Sequence, residues 1–365
     1  MNNKQFNILS TYYIKLTMTN FIGKGSYGNV FKIIQNNKTY ALKQSIDIFD
    51  EITISSFLLE IIVSLSFTHP NIIKCKKYSL YNDRIDIYME YYPMNLYSYI
   101  NTIKKENKII PINIVNKMII DIASGLEYLH SKSILHLDIS DDNILLKSDL
   151  TCVITDFGLC NVEKDCVIEN SLCGNKRKFD ESTQKFSVYK NPFASPEVLL
   201  KKYYDRSSDI WAFGVLIVKI LSTSYIFKNT DRNVQILFIE LFFNYDTKSK
   251  IKFILDTIKL RKLDKYNLYK NPNDITITHL NILMLIFQEN SSLRISASEI
   301  IHNVNKYEIN NNIVSPIEDK MSKSKLCKIQ KSINNINTYD SLNIQTYYKC
   351  IQEQNNQHFE LEICN

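Results

Sequence analysis

The sequence predicts an α+β fold of two lobes, in which a small β-rich lobe precedes a larger, mostly helical one. Over residues 17–90, short alternating segments surround a single helical stretch, whereas beyond Tyr92 and Pro93 the hydrophobic spacing becomes helical. The chain has 365 residues, more than one hydrophobic core usually covers. Hydrophobic residues make up 45% of it, which excludes global disorder.

The elements of the smaller lobe are predicted from residue alternation. Residues 40–45 and 84–90 alternate as strands, and residues 56–67 between them carry apolar side chains near helical spacing. His69-Pro70-Asn71 ends that helix. We therefore expect a sheet with one packed helix, joined to the larger lobe by a hinge near residues 90–95.

Three helices are predicted in the larger lobe. The first carries one apolar stripe and ends near His130; its residues, spaced four, three, four and three apart, are Val115, Ile119, Ile122, Leu126 and Leu129. The others cover residues 207–221 and about 280–288. After about residue 307 the composition shifts to Asn, Lys, Ser and Gln. We expect an extension over residues 1–15, a folded unit over 16–307, and an extension over 308–365 that is disordered or a docked helical appendage, with disorder favoured.

Composition excludes several classes of protein. Lys and Arg number 44 against 38 Asp and Glu, and they are interleaved, so we expect no specific nucleic-acid binding. No apolar stretch is long enough for a membrane span, and the start lacks a secretory signal. The eight cysteines form no CxxC pair, which argues against zinc sites and disulfides. We therefore expect an intracellular, cytoplasmic protein. The abundance of Asn, Ile, Lys and Tyr is typical of an AT-rich genome, such as that of a virus or a protist. A viral protein of this kind would lie in the host cytoplasm.

Glycine is scarce, and its placement is informative. The chain has seven glycines, and three of them lie within a span of six residues, in a G-x-G-x-x-G-x-V pattern. Together with the preceding Ile22, the pattern comprises Gly23, Lys24, Gly25, Ser26, Tyr27, Gly28, Asn29 and Val30. Glycines so spaced let backbone N–H groups approach a polyphosphate. A dinucleotide site would need a helix directly afterwards. Because residues 29–34 are predicted as a strand, a hairpin lid over phosphates is favoured.

A lysine and a glutamate are candidates for a buried ion pair. Lys43 ends a short apolar strand, and Glu60 follows 17 residues later within the predicted helix. An inward-facing lysine needs a counter-charge, which a helix packed on the strand could supply. A lysine on a strand is otherwise usually an edge or surface residue.

Two loops carry groups suited to metal binding and proton transfer. Asp138 and Asn143 lie in the sequence His-Leu-Asp-Ile-Ser-Asp-Asp-Asn, and Asp156 lies in Thr-Asp-Phe-Gly, each after a buried apolar stretch. Carboxylate and amide oxygens suit Mg²⁺, and a carboxylate can orient a hydroxyl. Capping and turn residues are the alternative interpretation.

Taken together, these motifs resemble those of the eukaryotic-type protein kinases, over about residues 15–305. Further matching motifs follow in the family's order: His69-Pro70-Asn71-Ile72-Ile73, Glu90-Tyr91-Tyr92, Ser195-Pro196-Glu197, Asp209-Ile210-Trp211-Ala212-Phe213-Gly214 and Leu293-Arg294-Ile295. The resemblance implies a bilobal protein-kinase fold with an activation segment over residues 156–197.

The resemblance also implies a site for ATP and for Mg²⁺ or Mn²⁺. The glycine-rich residues 22–30 would cover the phosphates, Lys43 would hold them while paired to Glu60, and the adenine would contact the backbone near Glu90 and Tyr92. Met89 would lie behind the adenine.

The same resemblance assigns the chemistry to three residues. Asn143 and Asp156 would coordinate the metal, and Asp138 would be the catalytic base. Protein substrates phosphorylated on Ser or Thr are expected, because the catalytic loop lacks the alanine- and arginine-containing form of tyrosine-specific relatives.

The chain departs from the family in its catalytic loop and activation segment. Leu137 replaces the arginine that usually receives an activation-loop phosphate, which predicts activity independent of such phosphorylation. Ser140 replaces a lysine that touches the γ-phosphate, and Lys190 is a hypothetical substitute for that charge. A pseudokinase, acting as a nucleotide-binding scaffold, is the alternative function. The sequence does not determine the oligomeric state.

Overall fold

A computed structural model confirms the predicted two-lobe α+β architecture. It describes residues 17–25, 27–46, 51–81, 83–163, 177–178, 191–200, 203–227, 232–259 and 272–312. The extension over residues 1–15 and most of the activation segment lie outside these ranges.

The smaller lobe is a five-stranded antiparallel sheet with one helix. Its elements are β1 (Thr17–Lys24), β2 (Gly28–Gln35), β3 (Lys38–Ser45), α1 (Glu51–Ser66), β4 (Cys75–Leu80) and β5 (Ile85–Glu90). The strand order is β1-β2-β3-β5-β4, which places β3 and its Lys43 in the centre. Ile33, Leu42 and Tyr88 form a small cluster separate from the main core.

Helix α1 begins at Glu51, earlier than the predicted start at residue 56. Ile52, Thr53 and Ile54 form a β-branched run with low helix propensity, which hid the first turn from the sequence pattern. Tertiary packing sustains that turn, because Thr53 and Phe57 are buried. The helix thereby carries Glu60 into the interior.

The larger lobe is mostly helical, and the main core cluster extends from it into the smaller lobe, where it includes Phe57 and Ile87. Its elements are β6 (Met94–Asn95), α2 (Leu96–Lys105), α3 (Ile112–Ser131), β7 (Ile134–Leu135), β8 (Ile144–Leu146), β9 (Cys152–Ile154), β10 (Asn161–Val162), β11 (Arg177–Lys178), α4 (Pro196–Leu199), β12 (Tyr203–Tyr204), α5 (Arg206–Ser222), α6 (Arg232–Asn244), α7 (Thr247–Lys259), α8 (Pro272–Ile286) and α9 (Ala297–Asn312). All five residues of the predicted stripe on α3 are buried.

Helix α5 is the buried centre of this lobe. Its observed bounds differ by one residue at each end from the prediction, and Asp205 begins it through a capping box with Ser208. Trp211, fully buried, stacks on Phe227 with ring centroids 5.4 Å apart. Nearly all of its residues are buried, so a charged group on it needs a partner.

The prediction differs from the structure at the last two helices. Helix α8 begins at Pro272 rather than near residue 280, and α9, which runs from Ala297 to Asn312, was not predicted. Within the described parts of the chain, no helix has the length and apolarity needed to cross a membrane.

Candidate active site

The glycine-rich segment forms the hairpin that its spacing predicts. Strands β1 and β2 pair up to Lys24 and Asn29, and the Gly25 amide donates to the Gly28 carbonyl at 2.8 Å. Strand β2 begins at Gly28 with no helix after it, so the hairpin prediction is confirmed over the dinucleotide alternative. Among the other candidate residues, Ile22 is exposed, whereas Gly23, Tyr27 and Val30 are half-buried. Ser26 lies outside the described residues.

Gly28 cannot accept a side chain where it lies. An added Cβ would lie 2.6 Å from the Gln44 carbonyl oxygen and 2.7 Å from Cζ of Phe57. We expect Gly28→Ala to destabilise the fold by about 1–3 kcal/mol, because a backbone atom of β3 would have to move. The measurement is urea unfolding. Gly23→Ala is the matched control, since nothing lies within 4 Å of its added Cβ, and equal losses in both variants would contradict the prediction.

Lys43 contacts two carboxylates that come from distant parts of the chain. Its ammonium lies 2.6 Å from Oε2 of Glu60 and 3.1 Å from Oδ1 of Asp156. Lys43 and Glu60 are buried, while 36% of the Asp156 side chain remains exposed. The pairing predicted from strand and helix is therefore present, and Asp156 turns one face to solvent.

Electrostatics keep Lys43 and Asp156 charged. Burial alone would lower the pKa of Lys43, but the charges of Asp156 and Glu60 outweigh it and raise that pKa above its ordinary value. The pKa of Asp156 is lowered, since the Lys43 ammonium outweighs burial. Lys43 is therefore a fixed positive charge beside an ionised carboxylate.

The residues of the predicted catalytic loop are joined to one another by hydrogen bonds. Nδ2 of Asn143 donates to Oδ2 of Asp138 at 2.6 Å and to its backbone carbonyl at 2.8 Å. The Thr155 amide donates to the Asn143 carbonyl at 3.0 Å. This last bond brings the loop that carries Asp138 next to the loop that carries Asp156.

Asp209 of α5 supports the backbone just before Asp138. Its two carboxylate oxygens accept from the amides of His136 at 2.9 Å and Leu137 at 2.7 Å, and His130 contacts it at 2.9 Å. Leu137 has a φ of 65°, in the left-handed region that strains a branched side chain. The sequence pattern identified Asp209 as part of a motif but did not show that it braces this strained residue.

The hinge residues lie at the end of β5. Met89 is buried and pairs with Ala41 of β3, whereas Glu90 is exposed and contacts Lys76 at 3.3 Å. Burial, with a smaller effect of Glu90, raises the pKa of Tyr92 to about 12. Tyr92 is therefore a neutral, half-buried side chain just after β5.

Asn143 and Asp156 fit a hard divalent cation chemically. They supply amide and carboxylate oxygens, and Asp156 presents its exposed face while Lys43 contacts only its Oδ1. Among the described residues, no group of three or more His, Cys, Asp or Glu forms a complete metal site. Two such donors would suit a cation that takes further ligands from phosphate oxygens, as Mg²⁺ commonly does.

A buried ion pair stands at the end of the activation segment. Arg294 donates to both carboxylate oxygens of Glu197, at 2.6 Å and 2.8 Å, and its guanidinium lies over Trp211. Ser208 also donates to Glu197. The pKa of Glu197 is lowered, because Arg294 outweighs the effect of burial. The pair joins α4 to the segment between α8 and α9.

Some predicted features cannot be compared with the structure, and one feature was missed. Lys190 lies outside the described residues. Ser140, which stands where the resemblance implies a lysine that touches the γ-phosphate, is fully buried. A buried contact between Lys219 of α5 and Asp141 was not predicted from the sequence. The signal was a single lysine inside the apolar run Ile217–Leu221, which requires a counter-charge when the helix is buried.

Comparison with known proteins agrees with this geometry. The family model described as "Protein kinase domain" matches residues 16–304. The chain is 31% identical over 211 residues to a cyclin-dependent kinase 4 homolog of Caenorhabditis elegans, covering 54% of this chain and 48% of that protein. It is 27% identical over 218 residues to an Aurora kinase of Eremothecium gossypii, covering 58% of this chain and 54% of that protein.

The chain thus spans about half the length of these curated relatives. The family match, by contrast, covers most of this chain and includes the segments that carry Lys43, Glu60, Asp138, Asn143 and Asp156. This extent, together with the two-lobe fold and the clustering of the motif residues, shows that the chain belongs to the protein kinase family.

Proposed function

We propose that the protein transfers the γ-phosphate of ATP to Ser or Thr hydroxyls of protein substrates. One observation supports the proposal: the Lys43 ammonium contacts both Glu60 and Asp156, and the loop that carries Asp156 is hydrogen-bonded through Thr155 to Asn143, which donates to Asp138. This network links a candidate phosphate-binding cation, candidate metal ligands and a candidate base. Names of kinases among the relatives support the same reaction class.

Lys43 binds the α- and β-phosphates of ATP in this proposal. Its ammonium is held by two carboxylates, so it needs little reorganisation when the nucleotide arrives. The hairpin around Gly25 covers the phosphates, and the backbone at Glu90 and Tyr92 binds the adenine. Phosphoryl transfer depends mainly on position and charge, which a buried, pre-paired lysine supplies.

Asp138 orients the acceptor hydroxyl and accepts its proton. Asn143 orients Asp138 through the 2.6 Å hydrogen bond, and Asn143 and Asp156 together hold Mg²⁺ or Mn²⁺. Bound there, Mg²⁺ or Mn²⁺ would neutralise charge on the phosphate that is transferred. Glu197 and Arg294 hold the end of the activation segment, where a peptide substrate would rest.

The test is transfer from γ-labelled ATP and Mg²⁺ to basic and acidic protein substrates, followed by phosphoamino-acid analysis. We expect label on Ser and Thr with the wild-type chain and none with Asp138→Ala. Label with both chains would identify a contaminating kinase. A wild-type chain that binds ATP but transfers nothing would favour the nucleotide-binding scaffold, and label on Tyr would overturn the proposed specificity.

Activity should not depend on activation-loop phosphorylation. Leu137 is 3% exposed and packs in the core, so it offers no cation to a phosphate on that segment. In a kinase that needs this phosphate, phosphatase treatment removes a charge-assisted contact. Because no such contact is expected here, treatment should change the rate by less than about twofold. The measurement is the initial rate before and after treatment, with phosphate removal checked by mass spectrometry. Loss of activity on treatment would contradict this prediction.

A further inference from the structure

A buried lysine lies directly beneath the catalytic loop. Lys219 is on α5, and its side chain is 3% exposed. The ammonium contacts Oδ2 of Asp141, whose side chain is 1% exposed, and the hydroxyl of Tyr225. Asp142 and Lys104 are the other charged groups near the ammonium. Because both partners are removed from water, the contact is geometrically demanding and strongly directional.

Asp141 belongs to the loop that carries the proposed base. It begins the single 3₁₀ turn Asp141–Asn143, and the amide of Asn143 donates to the Ser140 carbonyl at 3.1 Å. The Asn143 side chain in turn donates to Asp138 at 2.6 Å. A charge that fixes Asp141 therefore fixes, through one turn of backbone, the side chain that orients Asp138.

Tyr225 extends the same cluster toward the activation segment. Its ring meets Phe193 edge to face, with centroids 5.5 Å apart, and the Lys219 ammonium lies 3.7 Å from the Tyr225 ring centroid. Phe193 is buried and ends the turn Asn191–Phe193, two residues before Ser195. One ammonium thus contacts the catalytic loop on one side and, through a tyrosine, the end of the activation segment on the other.

We propose that Lys219 is a positioning residue that sets the catalytic loop and the segment at Phe193 in register, so that an acceptor hydroxyl meets Asp138. The inference rests on the proposed kinase function. Lys219 does not touch substrate, because its side chain is buried. It acts through Asp141 and Tyr225, and it determines how well the acceptor is aligned rather than how tightly ATP binds.

The effect of Lys219 on acceptor alignment can be measured separately from its effect on the stability of the fold. Replacing a buried ion pair by uncharged groups of similar size is often harmless to folding, whereas removing one partner alone leaves an unpaired buried charge. The double variant Lys219→Met/Asp141→Asn removes both charges and keeps the volumes. Tyr225→Phe is a milder second variant, since it deletes only the hydroxyl.

The experiment measures unfolding midpoints, kcat, and KM for ATP and for a peptide substrate. We expect the double variant to unfold at the wild-type midpoint, with kcat lower by about tenfold to a hundredfold, because small misplacements at a reacting centre have effects of that size. KM for ATP should stay unchanged while KM for the peptide rises. Tyr225→Phe should show the same pattern to a smaller degree, and Lys219→Arg should retain more activity than the double variant.

Lys117→Met is the control, because Lys117 is a more exposed lysine of the same lobe that pairs with Asp121 at 2.9 Å. Wild-type kinetics in either the folded double variant or Tyr225→Phe would overturn the inference. So would equal losses in Lys117→Met. A wild-type chain without transferase activity would overturn the proposed function and this inference together, whereas an active wild type with an unaffected double variant overturns the inference alone.

Discussion

Replacing Lys43 with methionine should lower kcat/KM for protein phosphorylation by about a hundredfold to a thousandfold, the range seen when a pre-organised charge at a transition state is removed. Methionine keeps the length of the side chain but cannot bind phosphate. It also frees Glu60 and Asp156, which the ammonium now contacts at 2.6 Å and 3.1 Å. Steady-state kinetics with a protein substrate check the prediction.

Two further variants separate chemistry from folding. Lys43→Met leaves Glu60 as an unpaired buried carboxylate, so the double variant Lys43→Met/Glu60→Gln restores neutrality at the same place. We expect it to recover stability but not activity. Lys38→Met, at the exposed start of the same strand, should retain the wild-type rate. A Lys43→Met chain with normal kinetics would mean that another group binds the phosphates.

The largest effect on stability is expected from Arg294→Met. The guanidinium is fully buried and donates to both oxygens of Glu197, so its removal leaves a buried carboxylate without its cation. We expect a loss of about 3–5 kcal/mol in the free energy of unfolding. The exposed pair of Lys108 and Glu106 provides the control, because Lys108→Met should change stability by less than about 0.5 kcal/mol. Similar losses in the two variants would contradict the prediction.

The same ion pair predicts how stability depends on pH. The pKa of Glu197 is lower in the folded chain than in the unfolded one. Its contribution is therefore fully present above the unfolded pKa of about 4.3 and is lost as the pH falls through the lower, folded value. Unfolding measured between neutral and acidic pH should show this loss in the wild type, together with that of other carboxylates. Arg294→Met should lack the Glu197 part, and an identical pH dependence would exclude this origin.

Local patterns predicted most of the elements that carry the site. The stripe of Val115 and its partners predicted α3, and the strand after Gly28 distinguished a hairpin from a dinucleotide site. The first turn of α1 was missed because Ile52 and Thr53 have low helix propensity. Helix α8 was shortened in the prediction because residues 272–279 are largely polar or β-branched and so carry little helical signal.

The sequence by itself determined the residue types available for chemistry and the loops that carry them, because turns, caps and periodic spacing depend on neighbouring residues. It also predicted that Lys43 needed a carboxylate. The tertiary structure decided which charges meet over long separations: Lys43 with Asp156 across 113 residues, and Lys219 with Asp141 across 78. Those contacts follow from the packing of β3 and α5, since burial leaves each ammonium stable only where a counter-charge is brought to it.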